Sequence, residues 1–171
     1  MTRAANPDVL LIEDSLEDAE LTIYALRGTC THVNVDTFSH SEDALSFLTC
    51  TGPYSEREAH TPQLIVLDFD MPGVDARAAL RRFKDHEELK AIPLIVLTGQ
   101  RDANVIKECY ALGANSVLCK ASQLKDYFEQ MQQLAKYWLQ VNAAAFYESA
   151  PHDEVPAFRR PSAPLRELRS N

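Results

Sequence analysis

The stretch LIVLDFDMPG, residues 64 to 73, joins a wholly apolar run to two aspartates. A short apolar run without alternation is typical of a parallel strand that is covered on both faces. Asp68 ends this run, and Asp70 follows two residues later. An Asp-x-Asp in this position suits either a hydrolase that transfers phosphate or a switch that accepts it, and the stretch alone does not choose between them.

The same design recurs elsewhere in the chain. Residues 9–12 (VLLI), 94–97 (LIVL) and 117–119 (VLC) are also short apolar runs. Residues 32–38 (HVNVDTF) instead alternate apolar and polar side chains, which is typical of an edge strand. Each of the four apolar runs ends at a charged or hydroxyl residue: Glu13 with Asp14, Asp68, Thr98 and Lys120.

Helical patterns fill the gaps between these strands. Ser15 and Ser41 are placed as N-caps of the first two helices, and Gly28 ends the first. Five β-α units in a row predict an α/β fold in which a parallel sheet carries helices on both faces. The helices are expected near residues 15–27, 41–50, 75–85, 102–112 and from 122 onward.

The carboxyl ends of parallel strands meet at one edge of a sheet, where such folds bind ligands. We therefore expect Glu13, Asp14 and Asp68 to share one pocket, with Thr98 and Lys120 on its far rim. Carboxylates about 5 Å apart repel by roughly 3 kcal/mol per pair at an effective dielectric constant of about 20. A cation is needed between them, and oxygen ligands beside a phosphate suit Mg²⁺.

Composition excludes several other classes. The formal net charge of −8 argues against nucleic acid or an anionic membrane as a partner. The longest apolar runs are too short to span a bilayer, and Glu13 and Asp14 come too early for a secretory signal. We expect a cytoplasmic location. Reduced thiols are favoured over a metal site or disulfides for the widely spaced cysteines Cys30, Cys50, Cys109 and Cys119.

Five separated motifs resemble one known family. They are IED at 12–14, LDFDMPG at 67–73, LTG at 97–99, GAN at 113–115 and CK at 119–120. In this order they resemble the receiver domain of two-component response regulators over about residues 7 to 141. The resemblance implies a doubly wound, five-stranded parallel sheet of order 2-1-3-4-5, the flavodoxin-like or CheY-like fold.

The resemblance also implies a function, which is to accept a phosphoryl group from a sensor histidine kinase. The chain would assist its own phosphotransfer and dephosphorylation without being an enzyme in the usual sense. The implied phosphoacceptor, switch hydroxyl and phosphate-contacting lysine are Asp68, Thr98 and Lys120. The implied Mg²⁺ ligands are Glu13, Asp14, Asp68 and the backbone carbonyl of Asp70, whose side chain we expect to favour the turn before Pro72 and Gly73.

Within the family, the chain looks most like stand-alone regulators of bacterial phytochrome kinases. The similarity lies in ED…EDAELT (13–22), in the insert LTCTGPYSEREAHTPQLIVLD (48–68) and in KYWL (136–139).

Two positions depart from the family pattern. Ala121 stands where receivers usually carry a proline, often after a cis bond, so the loop is either trans or strained. Val117 replaces the usual aromatic switch residue, so activation depends more on backbone shifts or on another residue such as Tyr110.

The end of the chain raises the question of assembly. Residues 1–142 are assigned to the receiver domain and 143–171 to a helix extension and a proline-rich tail. In the last helix the stripe expected to face the sheet is Leu124, Phe128, Met131, Ala135 and Trp138, with Tyr127, Leu134, Tyr137 and Val141 beside it. If the helix continues to about Glu148, it projects and builds a homodimer on the last strand and helix, with Tyr137, Val141 and Phe146 buried. The alternative is that the end of the helix frays.

Two other classes of protein stay open at this point. A haloacid-dehalogenase-like phosphatase would use Asp68 as nucleophile and Asp70 as general acid, but that family sets its Asp-x-Asp after the first strand. A phosphorylation-silent receiver used as a scaffold is the other alternative. The full set of acceptor-site residues speaks against it, while Val117 and Ala121 leave room for it.

Overall fold

A computed structural model describes residues 6–72 and 76–143. Within these ranges the chain forms a five-stranded parallel sheet of order β2-β1-β3-β4-β5. This confirms the doubly wound α/β fold with strand order 2-1-3-4-5 and the edge position of the alternating strand. The strands are β1 (Val9–Ile12), β2 (Val35–Phe38), β3 (Leu64–Asp68), β4 (Leu94–Thr98) and β5 (Ser116–Cys119).

Helices follow the strands and cover both faces of the sheet. They are α1 (Leu16–Arg27), α2 (Ser41–Leu48), α3 (Ala76–Asp85), α4 (Ala103–Ala111) and α5 (Leu124–Ala135). A 3₁₀ turn (Gly52–Tyr54) precedes β3, and a π-helical segment (Lys136–Val141) continues α5. None of the helices in the described ranges is long and apolar enough to cross a membrane.

Two of the predicted caps agree with the structure and one does not. The Ser15 side chain accepts a hydrogen bond from the Asp18 N–H at 3.2 Å, and Gly28 is the C-cap of α1, so both predictions are confirmed. The assignment of Ser41 as a cap is wrong. His40 has the extended backbone of the cap position (φ −133°, ψ 135°), and Ser41 is already the first helical residue.

The sheet separates two apolar cores. Along β1, for example, Leu10 and Ile12 pack with α2 and α3, whereas Val9 and Leu11 pack with α1 and α5. Strands β1, β3 and β4 are buried along their whole length, which explains why their sequences are apolar without alternation. In register, Asp68 lies opposite Leu97, so the polar strand ends come together at one edge.

The last helix differs from its prediction in two ways. Its buried residues are Tyr127, Met131, Leu134 and Ala135, while Leu124 is 56% exposed. The face turned to the sheet thus combines parts of both predicted stripes. The π-helical segment ends at Val141 and Asn142 is extended (φ −70°, ψ 131°), so a continuous helix to Glu148 is wrong. Gly73, Phe146 and the 144–171 part of the tail lie outside the described residues.

Candidate functional site

Three carboxylates meet at the carboxyl edge of the sheet. Glu13 and Asp14 follow β1, Asp68 ends β3, and ligand oxygens of all three lie within 4.8 Å of one another. Glu13 and Asp68 are each only 4% exposed, whereas Asp14 is exposed. The predicted cluster is therefore present, with one open side that faces solvent.

Lys120 supplies the positive charge of this cluster. Its Nζ lies 3.0 Å from Asp68 Oδ2 and 3.5 Å from Glu13 Oε2, and its own backbone N–H donates to the Thr98 carbonyl at 2.7 Å. Burial alone would lower the pKa of Lys120, but the Asp68 and Glu13 carboxylates raise it above its ordinary value. The lysine is thus held in its charged form against the carboxylate that ends β3.

Glu13 is the carboxyl group most strongly perturbed by this environment. Burial raises the pKa of Glu13 to about 7, and the Asp68 carboxylate adds to the increase. The Ser15 N–H, which donates to Glu13 Oε1 at 3.1 Å, and Lys120 oppose it. Without a bound cation, Glu13 is therefore partly protonated near neutral pH.

The donor set fits a hard divalent cation. Carboxylate oxygens are the ligands that Mg²⁺ and Mn²⁺ prefer, and the exposed side of Asp14 leaves room for water or a phosphate oxygen. A dication among these groups would offset a repulsion that one lysine only partly neutralises. The predicted contribution of the Asp70 backbone carbonyl stays a prediction.

The side chain of Asp70 reaches across to the loop after β4. It accepts hydrogen bonds from Thr98 Oγ1 at 3.0 Å, from Gln100 Nε2 at 2.7 Å and from the Gly99 N–H. Partial burial would raise the pKa of Asp70, but these three bonds together lower it. The expectation that this side chain serves the local turn is wrong, because its partners come from the neighbouring strand end.

Thr98 consequently points to Asp70. The residue is fully buried, and its hydroxyl also accepts the Gln100 N–H at 3.0 Å. Thr98 and Lys120 both lie at the predicted rim of the site, but only the lysine contacts Asp68 directly. Sequence reasoning missed Gln100, for which the position directly after LTG was the available signal.

Both departures from the family pattern have structural counterparts. The described part of the chain contains no cis peptide bond, so the bond between Lys120 and Ala121 is trans. The Ala121 N–H, which a proline would lack, donates to Gln130 Oε1 at 3.0 Å. Near Val117 the hydroxyl of the exposed Tyr110 accepts the Val117 N–H at 3.3 Å. Tyr110 is thus an aromatic side chain in contact with the position where the family usually has its aromatic switch residue.

Comparison with known families agrees with this geometry. The family described as "Response regulator receiver domain" matches residues 9–132. The chain therefore belongs to the receiver-domain family. It is a response regulator, a signalling protein of two-component systems, in which phosphorylation on an aspartate is typical, and it is not an enzyme in the usual sense.

Several relatives are similar over almost their whole length. The response regulator Rcp1 from Synechocystis sp. is 32% identical over 142 residues, which cover 82% of this chain and 95% of Rcp1. The structure of the phosphorylated cyanobacterial phytochrome response regulator RcpA gives a TM-score of 0.74 at 27% identity, covering 82% of this chain and 99% of RcpA. The Mn²⁺-bound form of Rcp1 gives a TM-score of 0.72 at 30% identity, covering 81% and 98%.

Proposed function

We propose that this chain is a single-domain response regulator whose Asp68 accepts a phosphoryl group from the phosphohistidine of a phytochrome-type sensor histidine kinase. The observation that carries the proposal is the contact of Lys120 Nζ with Asp68 Oδ2, inside a trio of carboxylates at the strand ends. Family membership supports the reaction. The phytochrome link is supported by similarity to RcpA, a cyanobacterial phytochrome response regulator.

The reaction is a displacement at phosphorus. A carboxylate oxygen of Asp68 attacks, the P–N bond to the donor histidine breaks, and the imidazole keeps the bonding electron pair and takes up a proton. The new phosphoryl group carries about −1.5 to −2 charges, but the Asp68 carboxylate loses its own charge, so the edge of the sheet gains only about −0.5 to −1 in net charge. Lys120 already lies 3.0 Å from Asp68, so it can follow the developing negative charge without a large movement.

Mg²⁺ is the proposed cation, with Glu13, Asp14, Asp68 and the Asp70 backbone carbonyl as its ligands. When bound, it would neutralise charge on the transferring phosphoryl group and orient it for attack. The carboxylates would hold the cation and would repel the entering phosphoryl group if their own charge were not offset. Burial is the main cause of the raised pKa of Glu13, and the neighbouring Asp68 carboxylate adds to it, so ionisation of both groups is unfavourable without a cation.

Thr98 is the proposed switch. Its hydroxyl bonds the Asp70 carboxylate in the described state, so it must exchange that acceptor for a phosphoryl oxygen on activation. The same groups would assist dephosphorylation, in which water attacks phosphorus and the bond to Asp68 breaks, releasing inorganic phosphate. We place these reactions in the cytoplasm, because ATP must be available to form the donor phosphohistidine.

The phosphatase alternative is disfavoured because Asp70 is held in its ionised form. A general acid must carry a proton near neutral pH, but three donated hydrogen bonds lower the pKa of this group. Its lone pairs are also occupied by Thr98, Gly99 and Gln100. Asp70 is therefore poorly suited to protonate a leaving group.

Intact-mass measurement after incubation with a small phosphodonor and Mg²⁺ tests the proposal. We expect a single phosphoryl adduct on the wild type and none on Asp68→Asn. Asp85→Asn, which removes an exposed carboxylate at the end of α3, is the matched control and should form the adduct normally. Rapid turnover of phosphoesters would instead favour the phosphatase, and no adduct on the wild type would favour a silent scaffold.

A homodimer through β5 and the last helix belongs to the same proposal. Within the described sheet β5 is an edge strand that is only partly buried, and Tyr137 and Val141 are 53% and 64% exposed. These apolar side chains favour burial against a second copy. Sedimentation velocity should show a dimer that Tyr137→Glu dissociates, and a wild-type monomer would refute this part.

The acidic net charge supports the absence of a nucleic-acid or membrane partner.

A further inference from the structure

Lys120 lies in the connection between β5 and α5, which has no proline to restrict its backbone. The charged group at the end of a long side chain is positioned accurately only if the backbone that carries the side chain is fixed. The backbone N–H of Lys120 is bonded to Thr98, but the flanking peptide groups need partners of their own. Ala121 has an N–H that a proline would lack, and Cys119, the last residue of the edge strand β5, has a carbonyl of its own to satisfy.

Gln130 satisfies both groups with one side chain. From the middle of α5, its Oε1 accepts the Ala121 N–H at 3.0 Å and its Nε2 donates to the Cys119 carbonyl at 3.1 Å. The chemistry fixes the orientation of the amide, because an N–H requires an acceptor and a carbonyl requires a donor. Both bonds are partly buried, which reduces competition from water.

These two bonds hold the residue before Lys120 and the residue after it. Together with the Lys120 N–H bond to Thr98, they fix the backbone on both sides of the lysine. The first helical residue of α5, Leu124, is half exposed, so packing at the start of the helix does not hold the loop in the same way. The amide of Gln130 is therefore a direct hydrogen-bonded link between the loop and the body of α5.

We propose that Gln130 is a positioning residue for Lys120. It acts by fixing the loop from which Lys120 reaches Asp68, and it contacts neither the carboxylates nor the phosphoryl group. The proposal deepens the function proposed above and rests on it for the effect on rate. The placement of Lys120 in the unphosphorylated protein is independent of that function.

The test variant is Gln130→Met, which keeps most of the volume and removes both hydrogen bonds. Gln133→Met is the matched control, because Gln133 is an exposed glutamine of the same helix. The first measurement is the NMR correlation of Lys120 Nζ and Cε, assigned by its loss in Lys120→Met. We expect Gln130→Met to move this signal toward that of solvent-exposed lysines and Gln133→Met to leave it in place.

The second measurement is the rate of adduct formation with a small phosphodonor and Mg²⁺. We expect Gln130→Met to be slower by about tenfold, since misplacing a reacting group by about 1 Å can cost up to about a hundredfold. In the Lys120→Met background, Gln130→Met should cause no further loss, because it acts through the lysine. A purely structural residue would slow both backgrounds equally.

An unchanged Lys120 signal in Gln130→Met, or the same slowing with and without Lys120, would overturn the proposal. If the wild type forms no adduct, the proposed function fails, while the NMR comparison still decides whether Gln130 positions Lys120. Should Gln130→Met fail to fold, Gln130→Glu takes its place in both measurements. That variant keeps the acceptor for Ala121 and loses the donor to Cys119.

Discussion

Replacing Asp14 with asparagine should stabilise the protein when no divalent cation is present. The carboxylate lies within 4.8 Å of those of Glu13 and Asp68, and each such repulsion is worth about 0.9 kcal/mol in water and about 3.5 kcal/mol at an effective dielectric constant of about 20. Because Asp14 is exposed, the lower value is appropriate, and two neighbours give a gain of about 1 to 2 kcal/mol. Among the described residues Lys120 pairs with other carboxylates, so no ion pair is lost.

Mg²⁺ should reverse the order of stabilities. A ligand at one hundred times its Kd stabilises a folded protein by about 2.7 kcal/mol, and only the wild type keeps all the proposed carboxylate ligands. Urea unfolding at about pH 8, first with EDTA and then with saturating MgCl₂, measures both effects. We expect Asp14→Asn to be the more stable protein in EDTA and the less stable one in Mg²⁺.

A control separates the cluster from general surface charge. Glu17 is an exposed acid in the first turn of α1 that is not among the clustered carboxylates, and Glu17→Gln should keep the full response to Mg²⁺. The reasoning would be refuted if Asp14→Asn were less stable than the wild type in EDTA. It would be refuted equally if the variant gained as much from Mg²⁺ as the wild type does.

Three further measurements address other parts of the structure. The folded-state pKa of Glu13 is raised to about 7, so protonation of Glu13 stabilises the metal-free protein fully below about pH 4.5. That contribution should be lost as the pH rises to about 7. The free energy of unfolding in urea should not show this pH dependence in Glu13→Gln. Asp70→Ala frees the Thr98 hydroxyl, so beryllofluoride with Mg²⁺ should bind more tightly by calorimetry, by about tenfold to a hundredfold, for the loss of roughly 1.5 to 3 kcal/mol of competing hydrogen bonding. Tyr127→Phe removes the buried 2.7 Å bond to Thr22 and should cost about 1 kcal/mol of unfolding free energy in urea, with phosphorylation by a small donor unchanged.

The strands and the meeting point of their ends were predictable because both follow from local sequence and a general property of parallel sheets. Buried strands must be apolar throughout, so β1, β3 and β4 are visible as short runs. Polar residues at the carboxyl ends of these strands then lie at the same edge of the sheet, independently of the conformation of the loops. This geometric rule is sufficient to predict that Glu13 and Asp68 lie close together, as they do.

The remaining features depend on packing over long sequence distances. The hydrogen bonds from the end of β4 and the following loop to Asp70 join residues about thirty positions apart, and no local sequence pattern predicts them. In α5 two apolar stripes lie side by side, so the choice of buried face depends on how the helix docks. Gln130 is likewise visible only once the helix lies against the loop that carries Lys120.

Under the proposed function, the hydrogen bonds that hold Thr98 would limit spontaneous signalling in the resting state. A regulator whose switch residue fluctuated freely would report activity without a stimulus. Hydrogen bonds to a charged acceptor are worth about 1.5 to 3 kcal/mol, which confines a released hydroxyl to about 0.6 to 8% of molecules. Under the proposed function, Asp70 would set a background level that the phosphoryl group must exceed, and its identity would tune the ratio of signal to background separately from the chemistry at Asp68.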